Sequence, residues 1–201
     1  IWCPFADFFR RYGGSALLIL GLIACYRISD VVMGVMSNSF YVDLQFSKTE
    51  VATITKVYGV IMTLVGAALG GVLVMRFGTL RILFLGAVLT ASTNLLFALL
   101  NEVGHDLELL TLIISLDNLS AGIATAAFVT YLSSLTNVAF SATQYALFSS
   151  IMLLMPKLLA GFSGQVVEQI GYSSFFVGTS LLGIPVMILI IMVAKRGDAL
   201  L

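Results

Sequence analysis

Residues 25–33 read CYRISDVVM: a cysteine and a tyrosine, then Arg27 and Asp30 three positions apart, then a return to valine and methionine. The apolar run around them starts at about Ser15 and continues past Gly34, longer than the roughly 20 residues that carry a helix across a bilayer. That length reads as a membrane span. The two charges then stand where each costs at least ~2.5 kcal/mol on insertion scales. At 100° per residue Arg27, Asp30 and Gly34 share one helix face, so the arginine and aspartate can neutralise one another along a single wall.

The rest of the chain is of the same kind. Of its 201 residues 60% are apolar and 10% charged, and the mean hydropathy is +1.08. This composition belongs to an integral membrane protein. The formal net charge is zero and no basic block alternates with aromatics, so there is no footprint for a nucleic-acid partner. Cys3 and Cys25 suggest neither a disulfide framework nor a metal-ligand spacing. The single histidine, His105, sits among Glu102, Asp106 and Glu108 and reads as a solvated loop residue. No Ser/His/Asp set, His/Cys cluster or glycine-rich phosphate loop appears, which points away from an enzyme and from any cofactor.

Six apolar runs meet the length of a span: about 15–40, 51–75, 82–100, 109–134, 143–167 and 173–194. Short polar gaps separate them, among them DLQFSKTE at 43–50, RFGTLR at 76–81 and NEVGHDLE at 101–108. The expected organisation is an interfacial segment at 1–14, a six-helix transmembrane bundle at 15–194 and a tail at 195–201. Six spans bring both ends to one side. Arg10, Arg11, Arg76, Arg81, Lys195 and Arg196 fall on that side and Lys48 on the other, so the positive-inside rule places both termini in the cytoplasm. The opening IWCPFADFFRRYGG reads as an interfacial lead-in within a longer protein rather than a secretory signal.

Charges inside the spans are uneven. Span one holds Arg27 and Asp30, span two Lys56, span four Asp117 and span five Lys157, while spans three and six hold none. Polar, polar, clean, repeated once, is the pattern of two three-helix repeats of inverted topology, the third helix of each facing lipid. Small residues four apart predict packing seams at Gly66 and Gly70, at Asn118, Gly122 and Ala126, and at Ala160 and Gly164. Pro156 should kink its helix beside a buried Lys157. Asp117 and Lys157 are open to two readings, a structural ion pair between neighbouring spans or members of a solvated path.

With these residues placed, the chain resembles the C-terminal six-helix half of a major facilitator superfamily transporter. In GGVLVMRFGTLR, residues Gly71, Arg76, Gly78 and Arg81 fit the superfamily's cytoplasmic loop motif, with Met75 where an aspartate is usual. A closer likeness is to the muropeptide permeases of the AmpG type. It rests on YRISDVVM, FYVDLQFSKTEVATITKVYG and GGVLVMR, and above all on NVAFSATQYALFSS followed by GYSSFFV. The resemblance implies a bacterial inner-membrane importer of anhydro-muropeptides, a glycopeptide cargo coupled to protons for peptidoglycan recycling, whose other wall is the N-terminal six-helix half. It also implies that spans one and four line the path, with Arg27, Asp30, Asp117 and Asn118 facing the substrate.

Asp30, about 22 Å from the cytoplasmic end of its span at 1.5 Å per residue, is the candidate for proton coupling, with Arg27 as its partner. The alternative is a permanent Arg27–Asp30 pair that only makes the helix insertable. Lys56 and Lys157 join the candidate path. Gln144 and Tyr145, at the start of span five, are open to a substrate contact or a helix-end role. Competing readings are a permease for another substrate, such as an acyl-CoA-like anion, and a non-transporting sensor or scaffold.

Cysteines introduced at Ser47 and at Thr79, with Cys3 and Cys25 replaced, are expected to react with an impermeant thiol reagent from opposite sides of the membrane. Equal labelling of both from outside intact cells contradicts the arrangement.

Overall fold

The computed structural model describes residues 2–137 and 140–197, and these are helical apart from short turns. Ile1, Val138 and Ala139 of the NVAFSATQYA stretch, and residues 198–201 of the expected tail lie outside the described residues. In chain order the helices are α1 (Trp2–Tyr12), α2 (Ala16–Cys25), α3 (Ile28–Asp43), α4 (Lys48–Ala52), α5 (Gly59–Phe77), α6 (Thr79–Val103), α7 (Leu107–Leu135), α8 (Ser141–Ala160), α9 (Ser163–Leu181) and α10 (Gly183–Gly197). A π-helical turn, Thr53–Tyr58, joins α4 to α5.

Local chemistry sets the boundaries. Ser47 caps α4 in a reciprocal box with Glu50: its hydroxyl accepts from the Glu50 amide at 3.2 Å while the Glu50 carboxylate accepts from the Ser47 amide at 2.8 Å. Asp106 caps α7 by accepting from the Leu109 amide at 2.9 Å. Gly78, at φ 88°, ends α5 in a backbone region closed to most side chains. Gly171, at φ 77°, interrupts α9 inside the predicted EQIGY gap, so residues 163–170 and 172–181 are two helical pieces.

Contacts at the two ends of the bundle fix the path of the chain. At one end the Arg11 guanidinium donates to the Leu135 carbonyl at 3.2 Å, and Arg196 donates to the Gly14 carbonyl at 3.4 Å. At the other end the Tyr172 hydroxyl donates to Asp43 at 2.7 Å, and His105 Nδ1 lies 3.1 Å from the Leu44 carbonyl. The chain therefore traverses the bundle six times. Arg10, Arg11, Arg76, Arg81, Lys195 and Arg196 gather at the first end and Lys48 at the second.

Five helical stretches are long and apolar enough to cross a membrane: Ala6–Asp43, Lys48–Phe77, Thr79–Val103, Leu107–Leu135 and Ser163–Arg196. The remaining traverse joins α8 to residues 163–170 across a turn at Gly161 and Phe162. That turn, rather than Pro156, is where the helix stops. Pro156 is buried inside α8, and Lys157 beside it is exposed instead of buried.

Two of the three predicted seams meet each other. A Cβ on Gly66 would stand 2.2 Å from the Leu119 carbonyl oxygen, and one on Gly122 would stand 2.3 Å from the Thr63 carbonyl oxygen. A Cβ on Gly70 would press on Ile123 and Ala126. Helices α5 and α7 thus touch backbone to backbone. Among apolar surroundings this close van der Waals approach, rather than hydrophobic burial, holds neighbouring helices together. Gly164 is different, with nothing within 4 Å of its would-be Cβ.

Span three presents two faces. Helix α6 buries ten residues, from Ile82 to Leu100, and packs against α7, α9 and α10, while Leu85, Leu95, Leu99 and Val103 stay exposed. On α5, Val60, Ile61, Leu64, Leu69 and Met75 are exposed as well. Absence of charge makes a helix fit for lipid or for a protein interior. On the buried face of α6 the small residues Gly86, Ala87 and Ala91 decide for the interior, since they admit the Ala124 backbone and Gly183 to close contact.

Gly122→Ala is expected to force α5 and α7 apart at a cost of roughly 1–3 kcal/mol, the usual scale for overpacking. Gly21→Ala, where nothing lies within 4 Å, should stay within ~1 kcal/mol of the parent. Thermal unfolding of both variants in detergent checks the difference.

Candidate functional site

The helix of span one breaks where its charges sit. Helix α2 ends at Cys25, α3 begins at Ile28, and Arg27 takes a non-helical φ of −96° and ψ of 10° between them. Tyr26 pins the break: its hydroxyl donates to the Leu83 carbonyl at 3.1 Å, and its ring stacks on Phe128 with centroids 4.4 Å apart. Asp30 then lies in the first turn of α3, where the helix dipole favours a negative charge. Arg27 reaches forward to it, Nε donating to Oδ2 at 3.2 Å and Nη2 bonding the same oxygen. The side chains are 29% and 25% exposed. The charges are therefore affordable at this depth because each has the other, a helix terminus and an open side.

That open side faces a cavity. Arg27, Ser29 and Asp30 line it from span one, Thr90 and Ala87 from α6, Ala121 and Thr125 from α7, and Gly183 from α10. Further along α3 the same open face carries Gly34 and Asn38, both exposed. On α7, Asp117 precedes Ala121 by one turn on the cavity-lining face. Its Oδ1 lies 3.0 Å from the Thr93 hydroxyl of α6. Arg27, Ser29 and Asp30 of span one and Ala121 and Thr125 of span four thus border one cavity with α6 between them, while Asp117 and Asn118 are not among its lining residues.

The other candidates separate. Asn118, next to Asp117, turns to α5: its Oδ1 accepts from the Thr63 hydroxyl at 2.9 Å, and its amide packs on Gly59. It belongs to the α5–α7 seam. Among the described residues the ion pairs are Arg11–Asp7 and Arg27–Asp30. The Asp117–Lys157 pair is not formed, since Lys157 points outward from α8. Lys56 is also exposed, on the π-helical turn, a distortion that recurs at functional sites.

Gln144 is 1% exposed and sits at the bundle end rather than on the cavity. Its side-chain carbonyl accepts from the Asn137 amide at 2.7 Å, and its amide donates to Asp7 at 3.2 Å. Asp7 also accepts from Arg11 at 2.6 Å. This network ties α1 to the ends of α7 and α8. The Arg11 guanidinium, first, and then the amides of Asn137 and Gln144 hold the Asp7 carboxyl below the usual carboxylate range. Tyr145 is half-buried against the core.

Uncharged polar residues are what a search for charges misses. Asn94, fully buried on α6, donates to the Ser29 hydroxyl at 2.9 Å and to the Thr179 hydroxyl at 3.2 Å. Ser29 in turn donates to the Thr179 carbonyl at 2.7 Å. Spans one, three and six are laced together beside the Arg27–Asp30 pair. Thr90, Thr93 and Asn94, close together within a largely apolar helix, are the signal that marks this face.

Helices of this length and apolarity, with their polar groups turned inward, define a multi-pass membrane protein. No family model matches the chain. Over 193 residues it is 33% identical to "Putative transporter AmpG 4" of Rickettsia felis, a match covering 96% of this chain and 46% of that protein. It is 34% identical over 187 residues to the protein of the same name from Rickettsia conorii, covering 93% and 45%. With "Putative transporter AmpG 1" of Rickettsia bellii it shares 30% over 180 residues, covering 90% and 44%. The chain is a half-length relative of the AmpG-type proteins, spanning about half the length of the curated relatives it matches.

Losing the Asp7 network should free α1. Gln144→Ala or Asp7→Asn is expected to raise tryptic cleavage after Arg10 and Arg11 several-fold, read by mass spectrometry. A carboxyl whose pKa is lowered on folding stabilises its contacts above the ordinary carboxylate range and loses them as pH falls through its own value. Cleavage of the unsubstituted protein by an acid-tolerant protease near α1 should accordingly rise on acidification, while that of Asp7→Asn stays flat.

Proposed function

We propose that the chain forms the C-terminal half of a proton-coupled secondary transporter of the bacterial inner membrane, importing anhydro-muropeptides. The observation that carries this reading is the polar wall of Arg27, Ser29, Asp30, Thr90 and Thr125, gathered from spans one, three and four inside an otherwise apolar bundle. Intramembrane ionisable groups that face a cavity mark substrate and ion paths. The relatives named as AmpG transporters supply the direction of the reading, and a sugar-peptide cargo suits a wall of hydroxyls flanked by both charge signs.

Two further features support a transporter half. The six basic residues at one bundle end, against Lys48 at the other, favour cytoplasmic termini. The reading as two inverted three-helix repeats draws support from two pairs of helix contacts. Exchanging spans one, two and three with four, five and six maps the α5–α7 contact onto that of α2 and α3 with α8. It likewise maps the α6–α7 contact onto that of α10 with α2. In this reading the uncovered faces of α5 and α8 meet the N-terminal six helices, and Lys56 and Lys157 stand at that boundary. A non-transporting scaffold has one observation in its favour, that Arg27 and Asp30 are already paired.

In liposomes holding the transporter that carries this chain, counterflow of a labelled N-acetylglucosaminyl-anhydromuramyl peptide is expected, and Asp30→Ala should reduce it by leaving Arg27 unpaired at mid-membrane. Absence of counterflow by the unsubstituted protein overturns the reading.

A further inference from the structure

We propose that Asp117, rather than Asp30, is the carboxyl that takes up and releases the coupling proton, with Thr93 as the hydroxyl that reads its state. This rests on the transporter reading above and names its ion-carrying residue. Thr93 Oγ1 lies 3.0 Å from the Thr90 carbonyl oxygen and 3.0 Å from Asp117 Oδ1. A hydroxyl has one proton and can donate to one acceptor fully. Both contacts are full two-centre hydrogen bonds when Asp117 is protonated, its O–H donating to Thr93 Oγ1 and Thr93 donating to the Thr90 carbonyl; with Asp117 ionised the hydroxyl has to share one proton between the two acceptors.

The charges around the two carboxyls agree with this assignment. Asp30 has Arg27 on it through two nitrogens. No basic side chain forms an ion pair with Asp117 among the described residues. From α3, the groups within electrostatic reach are Asp30 and Tyr41, an acid and a phenol. Helix α6 offers Thr93 and no charge. The segments on the far side of α7 carry Lys56, and α8 carries Lys157, both exposed. A half-buried carboxylate without a cation beside it loses water with nothing to offset the loss, whereas the acid can donate its proton to Thr93.

The step balances within this triad. As the path opens to water, the O–H bond of Asp117 breaks and the proton leaves to a water molecule. The Thr93 hydroxyl then turns from the Thr90 carbonyl to the new carboxylate. Reprotonation from the other side forms the O–H bond again and returns Thr93 to Thr90. The rotor joins α7 to α6, so the protonation state is felt at the contact between spans three and four, one turn from the cavity wall.

Infrared difference spectroscopy of the transporter that carries this chain tests the assignment without cargo. A carboxylic-acid C=O band present at neutral pH should vanish in Asp117→Asn and shift in Thr93→Val. Identical carboxylic-acid regions in the parent and Asp117→Asn overturn the proposal. With labelled anhydro-muropeptide, Asp117→Asn should lose uptake driven by a pH gradient. Gradient-driven accumulation at the parent rate in Asp117→Asn also overturns it. If the parent moves no muropeptide, the transport reading fails while the infrared band still decides where the proton sits.

Discussion

Helix α7 touches α5 backbone to backbone, and much else in the bundle follows from that contact. Neighbouring helices in a membrane gain little from burying apolar surface, because lipid is as apolar as leucine. What they gain is close packing, and Gly66, Gly70 and Gly122 permit it by leaving no Cβ between the two backbones. Once α7 is held there its rotation is set. Asn118 then falls on the seam against Gly59 and Thr63, while Asp117, one residue earlier, is delivered to Thr93 on α6. Two adjacent polar residues acquire different work because a helix turns 100° per residue.

The same economy governs the interior of the bundle. A break between α2 and α3 supplies a helix terminus for Asp30, and Arg27 at the break supplies the opposing charge. Tyr26 holds the break against α6 and α7 through one hydrogen bond and one stacked ring. The uncharged hub of Ser29, Asn94 and Thr179 then joins spans one, three and six next to the ionic pair. Most polar side chains here sit in connected groups, as an unpaired one costs more than it contributes, and the exceptions among the described residues are Asn94 Oδ1 and the Tyr131 hydroxyl.

At the end of the bundle a different logic applies. Asp7, Arg11 and Gln144 share one network with Asn137, so the short helix before span one is fastened to the turn between spans four and five. Asp7 and Arg11 are partly exposed here, so contacts with water can replace those of the network when it opens.

Much of this architecture was legible in the sequence, for reasons of length and period. Runs of apolar residues gave the spans, polar gaps such as DLQFSKTE, RFGTLR and NEVGHDLE gave their ends, and small residues four apart gave the seams on α5 and α7. The tally of basic residues separated the two ends of the bundle. What the sequence could not state was partnership. It offered Lys157 as a mate for Asp117, yet α8 turns that lysine outward. It left Gln144 open between a substrate contact and a helix-end role, and the fold buries it at the bundle end against α1. It read span three as lipid-facing, yet one face of α6 is buried against α7, α9 and α10. Composition and periodicity determine that a residue must lie on a given face of a helix crossing the membrane. Only the rotation and neighbours of each helix, set by glycine contacts between segments far apart in the chain, decide what that face meets.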